Sequence, residues 1–233
     1  MQLSRPIYQL KRRAKLLARE AGIPLHAAQD RVAQTEGFAS WSLLSARYAE
    51  AARPPSILDE LADGELALIA ARPRQGKTRI GLQLLVDAVR TGRRAVFFTL
   101  EYTEPQARNL LAEIGAGDDL PEIVATDAID AASIERHLAQ APAGTVAVID
   151  YLQVLDQRRN TPPLAEQVGA LADFARERQI TLAFIAQVDR AFEDGDARLP
   201  GLSDIRLPNP LPIELFAKAG FTHGGKIELR AIG

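Results

Sequence analysis

The chain has 233 residues, 47% of them hydrophobic and 25% charged, so it is long enough for one α/β domain with a small appendage and is neither disordered nor collagen-like in composition. It contains no cysteine, which excludes a disulfide framework, a thiolate metal site and a thiol nucleophile. The formal net charge of -2 conceals an asymmetry: residues 1–53 carry nine Lys/Arg against four Asp/Glu, and the rest is acidic.

The first fifty residues read as three short helices. Ile7, Leu10, Ala14 and Leu17 fall at helical spacing, as do Leu25, Ala28 and Val32 after Pro24, and Trp41, Leu44 and Tyr48 follow Ser40 as an N-cap. Gly22 and Gly37 punctuate the three segments. Ala51 to Ser56, with two prolines, breaks the pattern, and a linker is expected over 51–57. From residue 58 to 233 strand-like apolar runs alternate with helical segments. Leu66 to Ala71, Ala95 to Leu100, Val146 to Ile149 and Thr181 to Ala186 are strands, and Lys77 to Thr91, Glu104 to Ile114 and Leu164 to Arg178 are helices. The alternation predicts an α/β fold with a mostly parallel sheet between helices, preceded by a small all-helical module over 1–50. The proline-rich stretch Arg198 to Pro212 reads as loop, ahead of a last hairpin at Ala217 to Phe221 and Lys226 to Leu229. No apolar run is long enough to span a bilayer and no h-region follows the basic start, so a cytoplasmic protein is expected.

Between the first predicted strand and its helix lies Ala71-Arg72-Pro73-Arg74-Gln75-Gly76-Lys77-Thr78. A phosphate-binding loop needs that junction, because successive backbone N–H groups and the helix N-terminus surround the phosphates. In it Lys77 meets the β and γ oxygens of ATP, Thr78 ligates magnesium, and Gly76 lets the backbone approach the phosphates. Ala71 stands where the usual pattern has its first glycine. Val146 to Asp150 is an apolar strand ending in one carboxylate, placed to hold Mg2+ through water at the crevice where open α/β sheets bind ligands. Phe97 to Glu101 repeats that design, which makes Glu101 the candidate base for the attacking water. Phe184 to Gln187 ends a third strand with an amide able to donate to the γ-phosphate and accept from the water. The histidines His26, His137 and His223 have no ligand spacing and read as surface residues.

These residues resemble DnaB-type replicative DNA helicases in their C-terminal RecA-like ATPase domain. Ala70 to Thr78 is similar to the family's phosphate loop, Val96 to Glu101 to its motif with the catalytic glutamate, and Val148-Ile-Asp-Tyr-Leu-Gln153 to its Walker B motif. Ile185 to Arg190 and Leu202 to Arg206 resemble the next two landmarks. The resemblance implies a RecA-like fold, magnesium-dependent ATP hydrolysis and a hexameric ring that translocates on single-stranded DNA. It also puts Asp156 to Pro162 in the place of a loop facing the DNA channel, where Arg158 and Arg159 would contact phosphates.

Two features depart from the family pattern. Residues 1–50 look unlike the longer N-terminal collar domain, and Leu207 to Pro212 replaces an acidic segment. The family's lysine and arginine fingers have no secure counterpart, since Lys218 falls in a segment that reads as the preceding strand and Arg230 is the only late arginine. A DnaB-like ATPase acting on single-stranded DNA is therefore the leading expectation. A RecA-like regulator or switch, and a loader or adaptor docked on a replicative helicase, remain alternatives. Lys11, Arg12, Arg13, Lys15 and Arg19 spread around the first helix opposite its apolar stripe, which leaves a basic face open either to nucleic-acid phosphates or to solvent.

Overall fold

The computed structural model describes residues 4, 7–51, 56–156, 162–189, 200–205, 209, 211–223 and 226–232. The chain divides into two compact units, Met1–Pro55 and Ser56–Gly233.

The smaller unit is three helices, α1 (Ile7–Ala21), α2 (Leu25–Thr35) and α3 (Trp41–Ala51). Leu10, Ala14 and Val32 form its buried centre, with Leu17 and Trp41 packed against them. Gly22 ends α1 at φ 62°, a left-handed conformation in which a side chain is strained. Ser40 caps α3 by accepting the Leu43 N–H on its hydroxyl at 3.2 Å.

The larger unit begins with Ser56, whose side chain caps the 3-10 turn Ile57–Glu60 and also donates to the buried Asp87 carboxylate. Next come β1 (Leu66–Ala71), α4 (Lys77–Arg90), β2 (Ala95–Thr99), α5 (Glu104–Glu113), β3 (Glu122–Ala125), α6 (Ala131–Leu138) and β4 (Val146–Asp150). α7 (Leu164–Arg178), β5 (Thr181–Gln187), β6 (Phe216–His223) and β7 (Lys226–Ala231) complete it. The strands form one sheet in the order β3-β2-β4-β5-β1-β6-β7, parallel throughout except for the final β6–β7 hairpin.

Both faces of this sheet are covered, which is why its central strands are apolar at successive positions. Leu68, Phe98, Ile149 and Phe184 pack on one face with Ile134 and Leu138 of α6 and Val168 and Leu171 of α7. Ile69, Phe97, Val148 and Ile185 pack on the other with Leu82 and Leu85 of α4 and Leu111 of α5. α4 approaches the sheet closely through Gly81, where a Cβ would stand 2.9 Å from Ile185 Cδ1 and 3.0 Å from Val148 Cγ1. That approach seats the start of α4 over the ends of β4 and β5.

Two elements depart from the sequence expectation. β3 is a four-residue edge strand with only partial burial, and α6 has eight residues, so neither carries enough apolar periods to register in the sequence. One histidine departs as well. His26 is exposed, but His137 is partly buried, with Nε2 2.7 Å from Glu122 Oε1 and its ring edge-on to Phe98. Within the expected loop, Leu202–Asp204 is a 3-10 turn, and Ile205 bridges antiparallel to Val188. Among the described residues no helix is long and apolar enough to cross a membrane.

Candidate nucleotide site

Ala71 is the last residue of β1, fully buried and paired with Gln187 of β5 and Thr222 of β6. It is an ordinary strand residue, with no left-handed φ for a glycine to serve, which accounts for the alanine. Beyond it the chain turns sharply. The Gln75 N–H donates to the Arg72 carbonyl at 3.2 Å, with Pro73 second in the turn and Arg74 third at φ 64°. That is the pattern of a type II turn, whose third position normally takes glycine, and a side chain there costs about 1 kcal/mol. Arg72 points inward and donates to the Val188 carbonyl at 3.1 Å, tying the loop to the segment after β5. Gly76, at φ 84°, opens α4 in a conformation that disfavours any side chain.

The helix then delivers two side chains to the C-terminal ends of β2 and β4. Thr78 is buried and its hydroxyl donates to Asp150 Oδ2 at 3.0 Å. Lys77 Nζ lies 3.7 Å from Glu101 Oε2, with Lys77 mostly covered and Glu101 38% exposed. Glu101 follows β2 on a turn held by Thr99, whose buried hydroxyl accepts the N–H of Glu101 at 3.1 Å and of Tyr102 at 3.3 Å. Sequence reasoning misses this threonine; the signal that could find it is a hydroxyl two residues before a strand-end acid.

Asp150 is fully buried at the end of β4, and its Oδ1 has no hydrogen-bond partner among the described residues. Burial pushes its carboxyl up to about 6; the Lys77 ammonium opposes the rise, Glu101 adds to it, and the Thr78 hydrogen bond opposes it again. A carboxylate half satisfied by a threonine, with its other oxygen buried and unpaired, fits a magnesium site. No cluster of three or more His, Cys, Asp or Glu side chains among the described residues could hold a metal. Magnesium carried by a nucleotide needs no such cluster, because phosphates and water supply most of its ligands.

Lys77, Thr78, Glu101 and Asp150 are thus joined by direct contacts. Gln187 is brought to the same end of the sheet by register, beside Ala71 and one strand from Asp150. Arg158 and Arg159 lie outside the described residues, as do Arg190 and Arg206. Lys11, Arg12 and Arg13 are exposed on α1 of the smaller unit. Lys218 lies within β6 opposite Ala67, four residues short of the loop end of β1, and pairs with Glu60 at 3.8 Å. Arg230 lies opposite Ala219, with its guanidinium 5.8 Å from the Phe221 ring centroid.

Residues 118–209 match the family described as DnaB-like helicase C terminal domain. The larger unit is similar to the DnaB-type RecA-like domain. The chain is 25% identical to replicative DNA helicase DnaB of Helicobacter pylori (strain ATCC 700392 / 26695), over 71% of this chain and 42% of that one. It is 28% identical to the Leifsonia xyli subsp. xyli (strain CTCB07) protein of the same name, over 64% of this chain and 41% of the relative. It therefore spans about two fifths of the length of these curated relatives. Among solved structures, an ATPase domain superposes with a TM-score of 0.57 at 17% identity, covering 76% of this chain and 80% of that one. A DnaB-like replicative helicase, solved in a study of its interactions with primase, gives the same TM-score and identity, over 92% of this chain and 66% of its own. These two superpositions bear on the fold, in which the Ala71–Thr78 loop and the polar ends of β2, β4 and β5 lie at the C-terminal ends of adjacent parallel strands.

Proposed function

We propose that the DnaB-type domain binds ATP with Mg2+ and hydrolyses it, and that the chain couples this reaction to single-stranded DNA as a DnaB-like helicase or helicase-related ATPase. The observation that carries the proposal is the constellation of Lys77, Thr78, Glu101 and the half-satisfied Asp150 at the C-terminal ends of the parallel strands. Ala71 to Thr78 form the nucleotide cradle, in which the first amides of α4 present their N–H groups and helix dipole to the phosphates. When bound, the magnesium would supply Lewis-acid neutralisation of the charge that develops on the phosphates. Thr78 and Asp150 would hold it, Asp150 through water. Lys77 exchanges Glu101 for the β and γ oxygens. That exchange frees the Glu101 carboxylate to orient a water and take its proton, while Gln187 bridges water and terminal phosphate. The relatives' names support action on DNA. Assembly as a homo-oligomer, hexameric by the family resemblance, or beside a replicative helicase belongs to the same reading.

Hydrolysis measured on the full chain with Mg2+, with and without single-stranded DNA, tests this reading. Turnover that requires Mg2+ and rises several-fold with DNA is expected. Turnover indifferent to DNA would favour the nucleotide-dependent switch. No nucleotide binding at all would end both.

The outer face of α1 belongs to the same proposal, together with Arg158 and Arg159. Arg12, Lys15 and Arg19 recur at three- and four-residue spacing opposite the buried Leu10 and Ala14, and none makes an ion pair among the described residues. Lys11 flanks this ridge, while Arg13 turns toward a groove shared with Leu16 and Arg31. Replacing Arg12, Lys15 and Arg19 together by Glu should weaken DNA binding and reduce the slope of log affinity against log salt by about 2, with ATP affinity unchanged. An unchanged slope would make the ridge a solvated or protein-docking face.

A further inference from the structure

The phosphate loop carries one cation that the mechanism above leaves without a task. Arg74 stands at the third position of the Arg72–Gln75 turn, in the left-handed region at φ 64°. The fold gives no reason for an arginine there. The backbone would be relaxed by glycine, the side chain is exposed, and it makes no hydrogen bond or ion pair among the described residues. The other cations near the loop are engaged: Arg72 on the Val188 carbonyl, Lys77 on Glu101, Arg79 on Glu113. Backbone strain of this kind accumulates where a ligand or a reaction uses it.

We propose that the Arg74 guanidinium is a ligand of the terminal phosphate of ATP, supplied by the same chain that holds the nucleotide. This rests on the reading of the loop as a nucleotide cradle. Its basis is charge and reach. A magnesium-bound triphosphate keeps more than one negative charge, and Lys77 supplies a single ammonium. Arg74 lies three residues before Lys77, on the turn between the end of β1 and the N-terminus of α4, and no carboxylate of the loop itself competes for it. The amides at the start of α4 serve the inner phosphates. The terminal phosphate has the most non-bridging oxygens and most of the remaining charge, which suits the two-pronged donor set of a guanidinium. A cation placed in this way performs within one chain the charge compensation that an arginine finger performs from a neighbour.

The proposal predicts discrimination between nucleotides that differ by that phosphate. Arg74→Gly is the decisive variant, because glycine relaxes the turn and so cannot act by disrupting it; Arg74→Lys keeps the charge. On the full chain with Mg2+, the affinities for a non-hydrolysable ATP analogue and for ADP are measured by titration calorimetry. Arg74→Gly should weaken the analogue about tenfold and change ADP by less than about twofold, and Arg74→Lys should restore part of the loss. Equal weakening of both nucleotides, or no weakening of either, would overturn the assignment while leaving the cradle standing. If the unaltered chain binds neither nucleotide, the cradle itself is wrong and the assignment goes with it.

Discussion

Replacing Lys77 with alanine should abolish tight ATP binding, weakening it about a hundredfold or more, and leave a folded protein. The lysine begins α4 at the loop and contributes little to the core. Its ammonium faces Glu101 at 3.7 Å across a partly exposed gap, a pair worth under about 1 kcal/mol. Alanine is at least as good a helix former in that first turn. The helical content and melting temperature should therefore stay near those of the unaltered chain, while titration with ATP gives no saturable signal. The deeper effect is electrostatic. The Lys77 ammonium is the larger of the two influences that oppose the effect of burial on Asp150, so its loss leaves that carboxyl higher still and a poorer partner for magnesium. A folded variant with unchanged ATP affinity would remove the phosphate loop from the proposal.

The parts of this site that the sequence announces are those where one residue must do one thing. A strand buried on both faces has to be apolar at successive positions, so the acid that ends it stands out, and Asp150 is found where Val146 to Ile149 stop. A phosphate cradle demands backbone amides and a glycine, and Gly76 takes a left-handed φ that no side chain adopts readily. What the sequence hides is set by neighbours distant in the chain. The bond from Thr78 to Asp150 crosses 72 residues, and that from Arg72 to Val188 crosses 116. The half-satisfied state of Asp150 exists only once β4, α4 and the Glu101 turn are assembled. Short and marginal elements are hidden for another reason: β3 draws its stability from pairing with β2 at the sheet edge, which no four-residue window records. Arg74 is a third kind of case. Its identity is plain in the sequence, but only its φ shows that the backbone would prefer another residue.

Substituting Glu101 by glutamine should separate binding from hydrolysis. Thr99 positions this residue by accepting the Glu101 and Tyr102 N–H groups, and neither bond involves the Glu101 side chain, so the amide should occupy the same place. An amide cannot take the proton of an attacking water, and the loss of a positioned base costs about two to four powers of ten in turnover. Affinity should move the other way. The Glu101 charge adds to the upward push on the Asp150 carboxyl, so its removal lets Asp150 ionise more readily and favours magnesium. It also removes the carboxylate 3.7 Å from Lys77 in the nucleotide-free chain, so the lysine gives up less on meeting the phosphate. Glu101→Gln should thus bind ATP with Mg2+ at least as tightly as the unaltered chain while hydrolysing it at about one hundredth of the rate or less. Calorimetric titration beside a phosphate-release assay reads both quantities on one preparation. Normal turnover would place the base elsewhere, and weakened binding would make the contact between Lys77 and Glu101 a support of the cradle instead of a latch that the nucleotide opens.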